Sequence, residues 1–384
     1  MPAPLKTMIV MGTRPEVVKL APVALELRRH PKQFRVTLVG TGQHRELVPQ
    51  HLKLFRLRLD ADLGVMKPRQ TLADVTARTV QRLDALLATE PPDVVIVEGD
   101  TTAVLAAGLA AFYRRIPVAH VEAGLRSGDV HNPFPEEMNR RLVGGVASIH
   151  FAPTAAAKEN LLRENVLPER IFVTGNTTVD ALLFAAKQRP KRPAIASALL
   201  KGRRLILVTA HRRESWDAGI REICLALGDI ADRFPDVVIV YAVHPNPVVR
   251  EQADAILSGR ERVHLIPPPG YVEFVDLMKR SYLILTDSGG IQEEAPSLKR
   301  PVLVMRKTTE RTEGVEAGCS RLVGTDRKRI LRETALVLKD RSVYDAMIAT
   351  ANPYGDGKAA ARIRQALALA FGRSQRRPVD FGTP

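Results

Sequence analysis

Two short clusters of carboxylates follow apolar runs in the first half of the sequence, where an acid or base acting on carbon would have to sit, and a third comes after them. Asp93-Val-Val-Ile-Val-Glu-Gly-Asp-Thr-Thr102 ends an apolar run in Glu98 and Asp100, with Thr101 and Thr102 opening the next helix. Val118-Ala-His-Val-Glu-Ala-Gly-Leu-Arg126 sets His120 and Glu122 at the end of another. Pro135-Glu-Glu-Met-Asn-Arg-Arg141 adds Glu136 and Glu137; on a helix Glu136 and Arg140 share a face, with Glu137 turned by roughly 100°. Taken singly, each has a plain structural reading: Asp100 as a helix N-cap, Glu136 with Arg140 as a surface ion pair worth ~0.5 kcal/mol at most. Gathered near one sheet edge, the three suit proton abstraction from carbon, which needs carboxylates shielded from water and tuned in pKa.

A second kind of chemistry is written as anion binding. Gly12-Thr-Arg-Pro-Glu-Val-Val-Lys19 follows the strand-like Met8-Ile-Val-Met11: a glycine turn, Pro15 in a helix's first turn, Arg14 at its start and Lys19 a turn inside. Free N–H groups there suit an anion, and an ordinary turn with surface cations fits the spacing equally. In the second half, Leu205-Ile-Leu-Val-Thr-Ala-His-Arg-Arg-Glu-Ser215 places His211 directly after a buried strand, in a position to contact a phosphate or protonate a leaving group. Asp287-Ser-Gly-Gly-Ile-Gln-Glu-Glu-Ala-Pro296 exposes backbone N–H groups of Ser288, Gly289 and Gly290 at a helix start, a cradle for a diphosphate. Glu294, a turn further on, is placed to accept from ribose hydroxyls, and Arg306, Thr308, Thr309, Glu310 and Arg311 complete the anion site. No zinc-ligand set accompanies these groups, and G-x-G-x-x-G is missing after the first strand, so neither metal nor NAD is expected.

These residues need a scaffold that delivers them together. Strand and helix signals alternate from end to end, which predicts an α/β fold with parallel sheets covered by helices. Arg35–Val39, Asp93–Val97 and Pro117–Val121 read as strands of a first unit, with helices over Thr71–Glu90 and Thr101–Arg115. Leu205–Thr209, Val237–Tyr241, Tyr282–Thr286 and Pro301–Val304 read as strands of a second. The expected organisation is a Rossmann-like domain over 1–186, a linker over 187–202 and a second Rossmann-like domain over 203–357. A helix over about 358–371 follows, then a frayed Arg- and Pro-rich tail. Ligands of such sheets bind beyond the carboxyl ends of the strands, where every polar cluster falls, and two such domains facing each other would hold one in a cleft.

The 384 residues suit two domains, and 45% hydrophobic with 26% charged content suits a packed globular chain. No run approaches the ~20 apolar residues of a membrane span. Neither an export signal nor a disulfide framework is expected from the N-terminal residues and two cysteines, which points to a reducing cytoplasm. The net charge of +15 comes from dispersed basic residues without an RNA-binding signature; it fits a solvated surface plus a phosphate site, not a nucleic-acid partner.

The clusters together resemble the non-hydrolysing bacterial UDP-N-acetylglucosamine 2-epimerases along nearly the whole chain. The matching stretches are Gly12–Glu16, Gln43-His-Arg-Glu46, Gly99–Thr102, His120–Arg126, Pro135–Glu137, His211-Arg-Arg-Glu214, Asp287–Ser297, Thr308–Arg311 and Asn352-Pro-Tyr-Gly-Asp356. The resemblance implies the GT-B fold, two doubly wound domains facing across a cleft with the last helix returning to the first domain, and a homodimer. It implies Asp100, Glu122 and Glu136 as acid/base carboxylates. It places Arg14, Lys19, His211, Phe274, Ser288, Gly289, Gly290, Glu294 and Arg311 against the UDP-sugar. A second, regulatory UDP-N-acetylglucosamine would meet Gln43, Glu46, Arg69, Glu136, Arg212 and His244. Pro269 and Thr312 depart from the family pattern, where Gln and Pro are frequent. The implied reaction is epimerisation at C2 by elimination and re-addition of UDP, without a cofactor. The rivals are a hydrolysing epimerase, a GT-B glycosyltransferase and a non-catalytic nucleotide-sugar sensor.

Overall fold

The computed structural model describes residues 3–42, 47–212, 216 and 218–383. The chain divides into two compact units, Met1–Ala181 with Gly355–Pro384, and Leu182–Tyr354. Among the described residues the first unit builds a seven-stranded sheet from β1 (Leu5–Met11), β2 (Phe34–Gly40), β3 (Ala61–Asp62), β4 (Val94–Glu98), β5 (Val118–Val121), β6 (Ile149–Ala152) and β7 (Ile171–Val173). Their order is β3-β2-β1-β4-β5-β6-β7, every pair parallel. Parallel strands take helical crossovers, so both faces are covered and the strands read as continuous apolar runs. Val94, Val95, Ile96 and Val97 accordingly have no exposed surface.

The second unit repeats the design with β8 (Arg204–Thr209), β9 (Val237–Ala242), β10 (Val263–Ile266), β11 (Leu283–Thr286), β12 (Val302–Val304) and β13 (Ser320–Leu322). The order is β10-β9-β8-β11-β12-β13, again parallel throughout. Both sheets reverse direction of growth next to their first strand, between β1 and β4 and between β8 and β11. At such a switch point the two following loops part and leave a crevice. The basic, proline-containing stretch over 187–202 is not detached from this unit: Ile195 is buried among Leu205, Val238, Val240 and Val275.

The helix Ala359–Ala370 belongs to the first unit, where Ile363, Ala366 and Leu367 are buried. Asp180 accepts from the N–H groups of Ala359 and Ala360 at 3.2 and 3.0 Å, satisfying two donors of its first turn. Arg364 reaches Glu26 of the helix Arg14–Arg28 at 2.9 Å. The tail beyond it corrects the expectation of fraying. Phe381 N–H donates to the Val173 carbonyl (2.8 Å), Asp380 accepts from Val173 N–H (3.1 Å), and Arg377 donates to the Ile171 carbonyl (2.6 Å) with its guanidinium over the Phe172 ring. β7 is an edge strand, and the tail occupies backbone groups that an edge otherwise offers to another chain. No helix among the described residues is long and apolar enough to cross a membrane.

Candidate active site

In the first unit, chemistry-bearing residues collect at the β1/β4 switch point. Gly12 turns the chain out of β1 in close contact with Thr41: a Cβ there would stand 2.1 Å from Thr41 Oγ1. The helix Arg14–Arg28 begins at once, and Glu16 folds back over its start. Its carboxylate accepts from Gly12 N–H (2.6 Å), Thr13 Oγ1 (2.8 Å) and Thr101 Oγ1 (3.0 Å), so the turns after β1 and β4 share one acceptor. Burial raises the Glu16 pKa against the pull of these bonds. Arg14 stays exposed.

One turn into that helix, Lys19 points at two carboxylates, Glu98 Oε1 at 3.1 Å and Glu122 Oε2. Asn176 Nδ2 donates to the same Glu122 oxygen at 2.9 Å. Glu98 is buried, and desolvation pushes its carboxyl well above the usual carboxylate range, against the opposing pull of Lys19. Glu122 takes φ 61°, a left-handed conformation that non-glycine residues adopt at a cost and that clusters at functional positions. His120 sets its Nε2 against the Gly99 carbonyl at 2.8 Å, and burial lowers its pKa to about 4. It is therefore a neutral imidazole packed inside the sheet, beside His150 in register on β6.

The Pro135–Arg141 cluster is arranged differently from the helical-face expectation. Arg140 does not pair with Glu136 among the described residues; it reaches Asp100 Oδ2 at 2.7 Å and Glu137 Oε2 at 3.2 Å. Glu137 is the buried member, accepting from Ser127 N–H at 2.9 Å and facing Arg141 at 3.4 Å. Asn139 adds a bond to the Asp100 carbonyl at 2.8 Å. The helix Glu136–Val146 thus clamps the Asp100 turn through Asn139 and Arg140, while Glu136 sits half-buried at its start.

In the second unit, His211 and Asp287 follow β8 and β11, the two strands flanking the switch point. Asp287 has no exposed surface; its Oδ2 accepts from the N–H groups of His211 (2.6 Å) and Arg212 (2.8 Å), and its Oδ1 stands 3.2 Å from His211 Nδ1. Burial would raise this carboxyl, but the bonds from His211 and Arg212 outweigh it and hold it below its ordinary value. With Nδ1 set toward the Asp287 carboxylate, Nε2 is the ring nitrogen left for another partner. The His244 ring stacks on His211 with centroids 5.4 Å apart, and burial with the neighbouring imidazole lowers its pKa. Arg212 lies 3.9 Å from Glu310.

Past Asp287 the helix Gly289–Glu294 starts from Ser288. Gly289 is covered by the Arg311 guanidinium, whose Cζ would be 3.2 Å from a Cβ there, whereas Gly290 opens to free space. Arg311 is braced by Glu293 (2.8 Å) and Glu310 (2.9 Å), and Glu310 also binds Arg306 (2.7 Å). Burial opposes ionisation of Glu310, yet the two guanidiniums pull its pKa down to about 2. Tyr271 Oη donates to Glu294 at 2.8 Å, and Phe274, on the same helix as Tyr271, packs half-buried against the core.

Gln43 and Glu46 lie outside the described residues. Arg69 is exposed, with φ 53°. The sequence put Glu98 and Glu137 in the carboxylate clusters and Asp287 in the anion motif without giving any of them a role, and it did not single out Asn176. Glu98 and Asp287 end apolar strand runs, a signal equal to that of Asp100; Asn176 carries none that spacing reveals. Among the described residues, no three His, Cys, Asp or Glu side chains gather in a way that could hold a metal ion.

Two Rossmann-like units, one with a carboxylate cluster and one with a histidine and arginine cluster at its switch point, define a nucleotide-sugar enzyme of the GT-B class. The family model for UDP-N-acetylglucosamine 2-epimerase matches residues 25–368, and the chain belongs to that family. It is 52% identical over 370 residues to the UDP-N-acetylglucosamine 2-epimerase of Escherichia coli K12, covering 94% of this chain and 98% of that one. Against the Bacillus subtilis 168 enzyme of the same name, identity is 47% over 377 residues and 98% of each chain. The crystal structure of the Neisseria meningitidis UDP-GlcNAc 2-epimerase bound to UDP-GlcNAc superimposes with a TM-score of 0.85 at 43% identity, covering 94% of this chain and 99% of that one.

Proposed function

We infer that the protein interconverts UDP-N-acetylglucosamine and UDP-N-acetylmannosamine, and that it does so by elimination and re-addition of UDP. The carrying observation is that a chain of this family keeps both halves of the needed chemistry. Carboxylates stand at the ends of β4 and β5, and a carboxylate-braced histidine stands beside the Arg311 cluster. C2 of the sugar is not next to a ring carbonyl, so simple enolisation does not serve. A base takes the C2 proton, the C–H electron pair forms the C1–C2 double bond, and the C1–O bond breaks with its pair leaving on UDP. UDP then adds back to 2-acetamidoglucal, with a proton delivered to the opposite face of C2.

Asp100, Glu122 and Glu136 are the proposed proton carriers, and more than one is needed because the proton leaves and returns on opposite faces. His211, Arg311 and the backbone N–H groups of Ser288, Gly289 and Gly290 are proposed to stabilise charge on the departing diphosphate. Arg14, Lys19 and Phe274 are proposed as further contacts to the UDP-sugar, and Glu294 as the ribose acceptor. A second UDP-N-acetylglucosamine is proposed to regulate the enzyme through Gln43, Glu46, Arg69, Arg212 and His244, in a homodimer working in the cytoplasm.

Incubation with UDP-N-acetylglucosamine alone in D₂O, followed by NMR, tests the reading. The expected product is UDP-N-acetylmannosamine carrying deuterium at C2. Full retention of the original hydrogen removes the proton chemistry, free N-acetylmannosamine marks a hydrolase, and dependence on an acceptor marks a glycosyltransferase.

A further inference from the structure

The Asn352-Pro-Tyr354 stretch has no part in the chemistry just described, yet its side chains grip the backbone of the anion site at two points. Asn352 Nδ2 donates to the Glu293 carbonyl at 2.8 Å and to Ser297 Oγ at 2.6 Å, and its Oδ1 accepts from Tyr354 N–H at 2.9 Å. Tyr354 Oη donates to the Arg311 carbonyl at 2.9 Å and accepts from Gly314 N–H at 2.8 Å. Glu293 and Arg311 are the two residues whose side chains meet, Nε to Oε1 at 2.8 Å. They come from different segments, the short helix after β11 and the loop after β12, which Thr309 Oγ1 also joins by donating to Gln292 Oε1 at 2.8 Å. Asn352 and Tyr354 add the ties to the backbones of Glu293 and Arg311 themselves.

Gly314 is part of the same arrangement, because a Cβ at that position would stand 2.8 Å from Tyr354 Oη and block the bond. Tyr354 is 4% exposed, and burial raises its pKa, so the hydroxyl keeps the proton it donates. We propose that Asn352 and Tyr354 are positioning residues for diphosphate binding: they lock the Glu293 and Arg311 backbones together so that the Arg311 guanidinium lies across Gly289. A guanidinium fixed in this way meets an anion without first losing its rotamer freedom, which tightens binding without adding a contact. The proposal rests on the reading of Arg311 as a diphosphate contact.

A double-mutant cycle on UDP affinity, measured by calorimetry on the full chain, tests it. Tyr354→Phe keeps the ring and removes only the hydroxyl. It is expected to weaken UDP binding about tenfold when Arg311 is present, the scale of roughly one or two lost hydrogen bonds, and to have almost no effect in an Arg311→Ala background. Ile330→Val, in the core of the same unit, serves as the control for stability alone: it is expected to lower Tm and leave UDP affinity unchanged. An equal loss from Tyr354→Phe with and without Arg311, or no loss in either, overturns the clamp. Wild-type UDP affinity in Arg311→Ala by itself overturns instead the placement of Arg311 at the diphosphate, and the clamp falls with it. Where Tyr354→Phe does not fold, Asn352→Ser is carried through the same cycle with the same deciding outcomes.

Discussion

Lys19, whose side chain is 15% exposed, pairs with the buried Glu98, Nζ to Oε1 at 3.1 Å, and the same ammonium also meets Glu122. One cation therefore serves two carboxylates in a region of low dielectric, where an unpaired charge is costly. Lys19→Met leaves both carboxylates without it. The expected result is a loss of stability at neutral pH, smaller than the ~3–5 kcal/mol of breaking a fully buried pair because Lys19 is partly exposed, with loss of turnover. The deficit should shrink at mildly acid pH as Glu98, whose carboxyl burial already holds above the usual range, takes up its proton. Urea unfolding at the two pH values checks this, and an equal deficit at both would mean that charge at Lys19 is not what matters.

The His211–Asp287 pair supports a prediction about leaving-group chemistry. His211→Asn and Arg311→Ala are each expected to cost ~1.5–3 kcal/mol of UDP binding or transition-state stabilisation, the value of a hydrogen bond to a charged group. Asp287→Asn should reproduce much of the His211 effect without touching the ligand, because it removes the charge that directs Nδ1–H inward. Wild-type kinetics and UDP affinity in His211→Asn would take the imidazole out of the site.

The scaffold was largely legible in the sequence because parallel strands buried on both faces must be continuous apolar runs, and the residues that end those runs must lie at the carboxyl edge. That reasoning placed Asp100, Glu122 and His211 on the right edge of their sheets. It failed where position depends on tertiary contact. Arg140 was matched to Glu136 by helical spacing, but the buried charge of Glu137 and the Asp100 turn offer it better-shielded partners. The tail looked frayed from its composition, since its hydrogen bonds go to β7, an edge strand some two hundred residues away in sequence.

Buried histidines give the stability a definite pH dependence. Burial lowers the His120 pKa to about 4 and that of His150 to about 3, while both titrate near 6.5 when unfolded. Between those values the unfolded chain binds more protons than the native one, so stability falls as pH drops from about 6.5 toward 4. His150→Asn should flatten part of that slope. Denaturation midpoints at pH 7.5, 6 and 4.5 check it, and an identical slope in the variant would show that His150 does not contribute.

The proposed regulation by a second substrate molecule leads to a prediction about the reverse reaction. Arg69 is exposed, Arg212 is only loosely engaged with Glu310 at 3.9 Å, and His244 stacks on His211, so His244 and Arg212 adjoin the proposed catalytic imidazole. A ligand held by these groups shifts the enzyme only by its differential affinity for the active and inactive states. If UDP-N-acetylglucosamine has that preference and UDP-N-acetylmannosamine does not, the latter alone should react slowly until the first product accumulates. A progress curve from UDP-N-acetylmannosamine should therefore show a lag that a trace of UDP-N-acetylglucosamine abolishes, and Arg69→Ala should no longer respond to the trace. A wild-type curve without lag or response rejects the second site. A lag unchanged in Arg69→Ala keeps the regulation and moves it away from this residue.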